Sequence, residues 1–219
     1  MNGLKRLERN PLPSPDLIYD FLCSARVFAR AVRDVIEADV LREVANGKLT
    51  MPHLKLLYLV AQTDSVTIGD AATFLGVSSP AASKTVEKLV RRRLLRRSDI
   101  RDDRRSSELS LTEQGRRILE TYETARNQKA ADIFSQYSPE VLRETAEVLD
   151  HLASGIASQG SVIKEGDICL QCEIYFRQDC RFGGFGNRNC YYKLHRDEEK
   201  RNSETKLTPI PQQPVAKVP

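Results

Sequence analysis

The sequence predicts a mainly α-helical chain with one small β-hairpin wing, arranged as a winged helix-turn-helix between long N- and C-terminal helices. Three observations predict it. Apolar residues recur at helical spacing over long stretches near Pro15 and again beyond Thr112. Three shorter helical segments lie between them, each opened by a capping residue and one closed by a glycine. Two short β-prone runs then flank a polar, arginine-rich tip.

The first helix is expected from about Pro15 to Asn46. Leu17, Phe21, Ala25, Phe28, Val32 and Ile36 share one face, and Gly47 follows its end. Such a long helix outside a small core suits a dimer interface. Thr50 can cap a second helix carrying Leu54, Leu57, Tyr58 and Val60. Thr67 and Asp70 form a capping-box pattern before Ile68, Ala71, Ala72 and Leu75, and Gly76 breaks that helix. Ser79 is read as the next N-cap, with Pro80 at the first helical position, where its missing N–H costs nothing. Ala82, Val86, Leu89 and Val90 then line one face of a helix Ser79–Arg92. Strands follow at Leu94–Ser98 and Ser107–Leu111, with Asp99–Ser106 as the tip. Thr112 and Glu113 open another helix. Ser138 and Pro139 open the last, which carries Val141, Leu142, Ala146, Leu149 and Leu152.

Composition narrows the function classes. The chain has 219 residues and a net charge of only +4, so the placing of charge matters more than its total. No apolar run reaches the roughly 18 residues of a membrane span. Met1 to Pro15 has basic residues but no apolar core, so it is not read as a signal peptide, and a cytoplasmic protein is expected. There is no nucleotide-binding loop, no Ser/His/Asp set and no acid pair in context. The histidines are only His53, His151 and His195, and an enzyme is not expected.

The charge is concentrated. Arg91, Arg92, Arg93, Arg96, Arg97, Arg101, Arg104 and Arg105 face only Asp99, Asp102 and Asp103 within the same stretch. An arginine-bearing hairpin tip can enter the minor groove of DNA, where the potential is most negative. The free face of the preceding helix offers Ser79, Pro80, Ala81, Ser83, Lys84 and Lys88, small or basic side chains that let a helix sit deep in a major groove. The expected DNA surface is these six residues with Arg101, Arg104 and Arg105.

The stretch Asp99-Ile-Arg-Asp-Asp-Arg-Arg-Ser-Ser-Glu-Leu-Ser-Leu-Thr-Glu-Gln-Gly115 resembles the multiple-antibiotic-resistance regulator (MarR) family. Asp103-Arg104-Arg105 stands where that family has its wing Asp-Arg-Arg, and Gly76 to Leu89 resembles its recognition helix. Arg93 departs from it, since the family usually has glycine there. Pro80 also departs, at a site often held by Ser or Thr, so no base preference is carried over. The resemblance spans about Leu17 to Ser158. It implies a homodimer with interleaved first and last helices, bound to a pseudo-palindromic operator in double-stranded DNA.

Residues 159–195 differ in composition from all that precedes them. Cys169, Cys172, Cys180 and Cys190 form C-x2-C-x7-C-x9-C, an extension that most members of the family lack. In a reducing compartment, clustered thiolates favour metal or redox chemistry over structural disulfides. Four can ligate an iron–sulfur cluster, [4Fe–4S] or [2Fe–2S], or a tetrahedral zinc ion. One C-x2-C knuckle with two widely spaced single cysteines is not the paired-knuckle pattern of zinc ribbons. Gly183, Gly184 and Gly186 allow close wrapping, and Tyr175, Phe176, Phe182, Phe185, Tyr191 and Tyr192 can shield a cluster. These favour iron–sulfur, [4Fe–4S] first, with zinc as the alternative and thiol–disulfide chemistry third. The expected function is therefore a DNA-binding regulator whose operator affinity follows an iron–sulfur cluster. The alternatives are a repressor with structural zinc answering a small aromatic ligand, or an oxidant sensor through Cys23. Cys23 lies where the hydroperoxide-sensing branch of the family has a reactive cysteine. The tyrosines that accompany it there are missing from Leu49 to Leu54, and a lone cysteine on an apolar helix is usually a small core residue. Residues 196–219 are charged, then proline-rich, and are expected to be disordered.

Overall fold

Ser14 opens the first helix by accepting the Leu17 amide at 3.3 Å, with proline at the start of the first turn. In a computed structural model the structure describes residues 12–63, 66–100, 103–159, 168–169, 172–176 and 189–190. The elements in order are α1 (Pro15–Ala31), a π-helical stretch (Val32–Asp39), α2 (Val40–Val44), α3 (Met51–Gln62), α4 (Ile68–Leu75), α5 (Ser79–Arg91), β1 (Leu95–Ile100), β2 (Asp103–Leu111), α6 (Glu113–Phe134), α7 (Pro139–Gln159), β3 (Ile168–Cys169) and β4 (Asn189–Cys190). This is the mainly helical, single-hairpin architecture that the periodicity predicts.

The first long helix differs from expectation at its centre. A π-turn holds one residue more than an α-turn and rotates the side chains that follow. Upstream of the π stretch, Leu17, Phe21 and Phe28 remain exposed. Within and beyond it, Ile36, Val40 and Leu41 are buried in the core. Gly47 then ends the helix in the left-handed conformation, its amide reaching back to the Arg42 carbonyl at 2.9 Å.

The core gathers around α3, whose Leu54, Leu56, Leu57 and Leu59 are completely buried. Capping boxes at Thr50–His53 and Thr67–Asp70 start α3 and α4. Gly76, at φ 65°, ends α4, and α5 follows packed against it with Ala82, Val86 and Leu89 inward. The cap of α5 is Ser78 and not Ser79. Ser78 is still extended, its carbonyl already accepts the Ala82 amide at 2.9 Å, and Ser79 is the first helical residue.

The wing is longer than expected. Its strands pair antiparallel from Leu95 opposite Leu111 to Asp99 opposite Ser107, then through an irregularity to Ile100 opposite Asp103. The residues read as a tip are therefore largely strand. Backbone pairing can carry a two-stranded ribbon without alternating apolar side chains, so the polar composition gave no sign of the arms. At the base Leu109 donates its amide to the Val66 carbonyl at 3.0 Å, adding a one-residue bridge.

One junction ties wing to helix. Thr112 donates its amide to the Leu94 carbonyl at 3.1 Å and its hydroxyl to the Arg93 carbonyl at 2.5 Å. The same hydroxyl accepts the Gly115 amide at 3.0 Å and so caps α6. Gly115 has no room for a methyl group, which would overlap the Leu94 carbonyl oxygen. Arg93 adopts φ 58°, the left-handed turn that glycine takes most easily, so the departure from the family pattern changes the residue and keeps the turn.

No residue of α1 or α7 belongs to the core cluster of the described residues. Their apolar faces, with Phe21 and Phe28 on α1 and Leu142 and Leu149 on α7, are exposed in this chain. Ser138 starts α7 by accepting the Val141 amide at 3.3 Å, and the helix reaches Gln159, one residue past the expected boundary.

Gly115→Ala is expected to destabilise the chain by about 2 kcal/mol or more, because its neighbour is backbone and cannot turn aside. The urea unfolding midpoint against the unchanged protein measures it.

Candidate nucleic-acid interface

Helix α5 presents two chemically distinct faces. Inward lie Ala82, Val86 and Leu89. Outward, Ser79, Pro80, Lys84 and Lys88 are exposed, and Ala81 and Ser83 are partly covered. The N-terminal half of the outward face is thus made of short side chains, and a groove wall can approach the backbone there. The basic residues Lys88 and Arg91 occupy the last turn, where positive charge complements the helix dipole.

The wing adds the second contact. Arg96 and Arg97 lie exposed on β1 opposite Ser110 and Leu109, and the backbone of Arg104 and Arg105 lies farther along β2, toward the tip. Arg101 lies outside the described residues. The structure therefore brings the helix face and the wing arms to one end of the fold, joined through the Leu94–Thr112 junction.

His53 connects the core to this surface. Its Nδ1 accepts the Thr50 amide at 3.0 Å, which completes the capping box of α3 and requires a neutral ring. Burial first, then the nearby charges of Arg92 and Lys88, hold its pKa below the ordinary histidine value.

The cysteine segment sits elsewhere. Strands β3 and β4 are parallel, and Cys169 is the register partner of Cys190. Neighbouring strands stand about 4.8 Å apart, so two of the four predicted ligands are adjacent by backbone. Cys172 follows by one turn, half-buried against the core. Cys180 and the side chains of Cys169 and Cys190 lie outside what is described, and among the described residues no three metal-ligating side chains are gathered. His195 and residues 196–219 also lie outside. Cys23 is exposed on α1 and is therefore no part of this chain's own core.

Sequence reasoning missed where the knuckle goes. Tyr175 and Phe176 were expected to shield a bound centre. Instead Ile174 is only 7% exposed within the winged-helix core, with Cys172 and Phe176 packed beside it. Glu173 pairs with Lys55 of α3 at 2.5 Å. The Tyr175 ring lies under Arg126 of α6, with the guanidinium 5.2 Å from its centre. Burial, then the charge of the nearby Glu37 carboxylate, raise the Tyr175 phenol well above its ordinary range. The signal available in sequence was the apolar run Ile174-Tyr175-Phe176 directly after a ligand-type cysteine.

This arrangement has the winged-helix fold. Residues 48–106 match the profile of the MarR family. The chain is similar in fold to RV1404 from Mycobacterium tuberculosis, at 24% identity and TM-score 0.55, over 69% of this chain and 98% of that one. It is similar to YusO from Bacillus subtilis at 22% identity and TM-score 0.54, over 64% and 98%. It is also similar to Sco3205 from Streptomyces coelicolor, a MarR family transcriptional regulator solved in complex with DNA, at 20% identity and TM-score 0.53, over 70% and 95%. No curated protein matches the chain. No helix among the described residues is long and apolar enough to cross a membrane.

The depressed histidine gives a pH prediction. The neutral form is favoured in the folded chain, so His53 contributes stability that is fully present above its unfolded value of 6.5 and is lost as pH falls through its lower folded value. His53→Gln keeps an acceptor at that helix position without a titrating ring. It should flatten the decline of the urea midpoint below pH 6.5, while the unchanged protein retains it.

Proposed function

We propose that the chain is a homodimeric transcriptional regulator that binds a pseudo-palindromic operator in double-stranded DNA and reads the state of a cysteine-held iron–sulfur cluster. The observation that carries the DNA half is the outward face of α5, small at its start and basic at its end, locked to an arginine-bearing wing. The helix reads base edges in the major groove, and the wing neutralises phosphates or enters the adjacent minor groove.

The dimer follows from the uncovered helices. Leaving a Leu or Phe in water forgoes about 1.5–3 kcal/mol each. The faces of α1 and α7 hold a row of such residues that stay exposed among the described residues. Two-fold pairing through them gives the family's interleaved arrangement, and two heads related by a two-fold axis require a site with the same symmetry.

Cys169, Cys172, Cys180 and Cys190 suit the cluster by donor chemistry, and the Cys169–Cys190 register favours a shared site. The cluster would supply the folding free energy of a segment with little core of its own, and would make that segment sensitive to oxidant or iron supply. Its loss would shift the population between dimer shapes with different spacing of the two α5 helices.

Two measurements test the halves separately. With duplex DNA selected from a random pool by the protein itself, Arg104→Ala with Arg105→Ala should weaken binding by roughly 1–3 kcal/mol and flatten the salt dependence by about two units of slope. An unchanged salt slope argues against the wing. For the sensor, iron, sulfide and zinc are quantified in anaerobically purified protein, and DNA affinity is compared before and after the centre is removed. Iron with sulfide and a changed affinity support the reading. Zinc alone removes the iron–sulfur assignment, and equal affinities leave the centre a structural role.

A further inference from the structure

We propose that the segment Cys172–Phe176 is the latch through which the cysteine-held centre acts on the DNA-reading head. The inference rests on the sensor reading above and concerns how the signal crosses from one part of the chain to the other.

The latch touches three elements at once. Ile174 is buried in the core of the head. Glu173 is ion-paired to Lys55 on α3, 118 residues away in sequence. The Tyr175 phenol lies close to the Glu37 carboxylate of the π-helical stretch, which adds to burial in raising its pKa. Its ring shares the Arg126 guanidinium with Tyr122 of α6, at 5.2 Å and 5.7 Å. Tyr122 in turn stacks edge-on to Tyr58 of α3, with ring centres 6.4 Å apart, and its hydroxyl donates to the Glu37 carbonyl at 3.5 Å. Glu37, Lys55 and Arg126 stand on three different helices, and the latch pairs with a charged group on each.

The backbone of the latch depends on being held. Glu173 adopts φ 45°, a left-handed conformation that non-glycine residues seldom take, and the Tyr175 amide closes the turn on the Cys172 carbonyl at 2.7 Å. Ligation of Cys172 fixes one end of that turn, and the Ile174 socket fixes the other. When the thiolate loses its ligand the first restraint disappears. Four residues are then left to hold a strained turn by the apolar contacts of Ile174 and Phe176 and by partly exposed polar contacts, of which an ion pair such as Glu173–Lys55 contributes little. Release uncovers Tyr122 and Arg126 and frees Glu37. These are the positions where the long first helix, α3 and α6 meet, and α3 packs directly against α4, α5 and β2.

The test uses full-length, anaerobically purified protein with its centre present and after its removal. Variants are Ile174→Ala and, in case that cavity unfolds the segment, Lys55→Gln with Tyr175→Phe, which removes the ion pair and the hydroxyl without emptying the core. Two readouts are taken: amide hydrogen exchange over residues 32–39 and 119–126, and affinity for the selected duplex. In the unchanged protein, removal of the centre should speed exchange in both stretches about tenfold. In each variant the centre should remain, by iron or zinc content, while exchange and affinity match those of the stripped protein. Equal affinity of loaded and stripped unchanged protein overturns the sensor reading beneath the latch. A difference in affinity that persists undiminished in both variants, or exchange that ignores removal of the centre, overturns the latch alone.

Discussion

The carbonyl oxygen of Leu94 holds this molecule's parts in relation. It accepts the Thr112 amide and lies against Gly115, where only a residue without a side chain fits. Helix α5 ends just before it, β1 begins just after it, and α6 starts across from it. A single backbone oxygen thus ties together the end of α5, the wing beside it and the start of α6. Were that junction loose, the basic face of α5 and the arginines of the wing would be separate patches with no common geometry. Because it is tight, a change felt by α6 is felt by both.

Much of this was legible in the residues. Thr67 with Asp70, Gly76, and Thr112 with Glu113 announce helix ends through local chemistry, since each satisfies or terminates backbone groups within three or four residues of itself. The inward face of α5 was equally plain, because Ala82, Val86 and Leu89 repeat at the helical period. What escaped notice was non-local or free of side-chain signature. The π stretch leaves the apolar spacing nearly unchanged while turning Ile36, Val40 and Leu41 inward. The strand residues added beyond Ser98 and Ser107 include only one apolar residue, Ile100. The choice of Ser78 over Ser79 as cap depends on one backbone dihedral. For the candidate site, the exposure of Ser79, Pro80, Lys84 and Lys88 on α5 follows from the helical period, and the register of Cys169 with Cys190 was not foreseen. The docking of Ile174 was invisible because the core it joins is built from residues far upstream in the chain.

The first helix serves two neighbours by changing phase. Its early residues leave Leu17, Phe21 and Phe28 exposed, and its later residues give Ile36, Val40 and Leu41 to the core. The π stretch marks the change between the two. Glu37, which meets the cysteine segment, lies inside that stretch, so the irregular part of the helix is also the part that the C-terminal extension touches.

The separation between Lys55 and Glu173 also orders how the molecule is made. Local contacts close first because they tie up little chain, and contacts across a hundred residues form late. The capped helices α3, α4 and α5 and the hairpin can therefore assemble before the cysteine segment emerges and finds its socket. The seat for Ile174 is thus built from earlier parts of the chain, so the winged-helix core can form before the segment that docks on it.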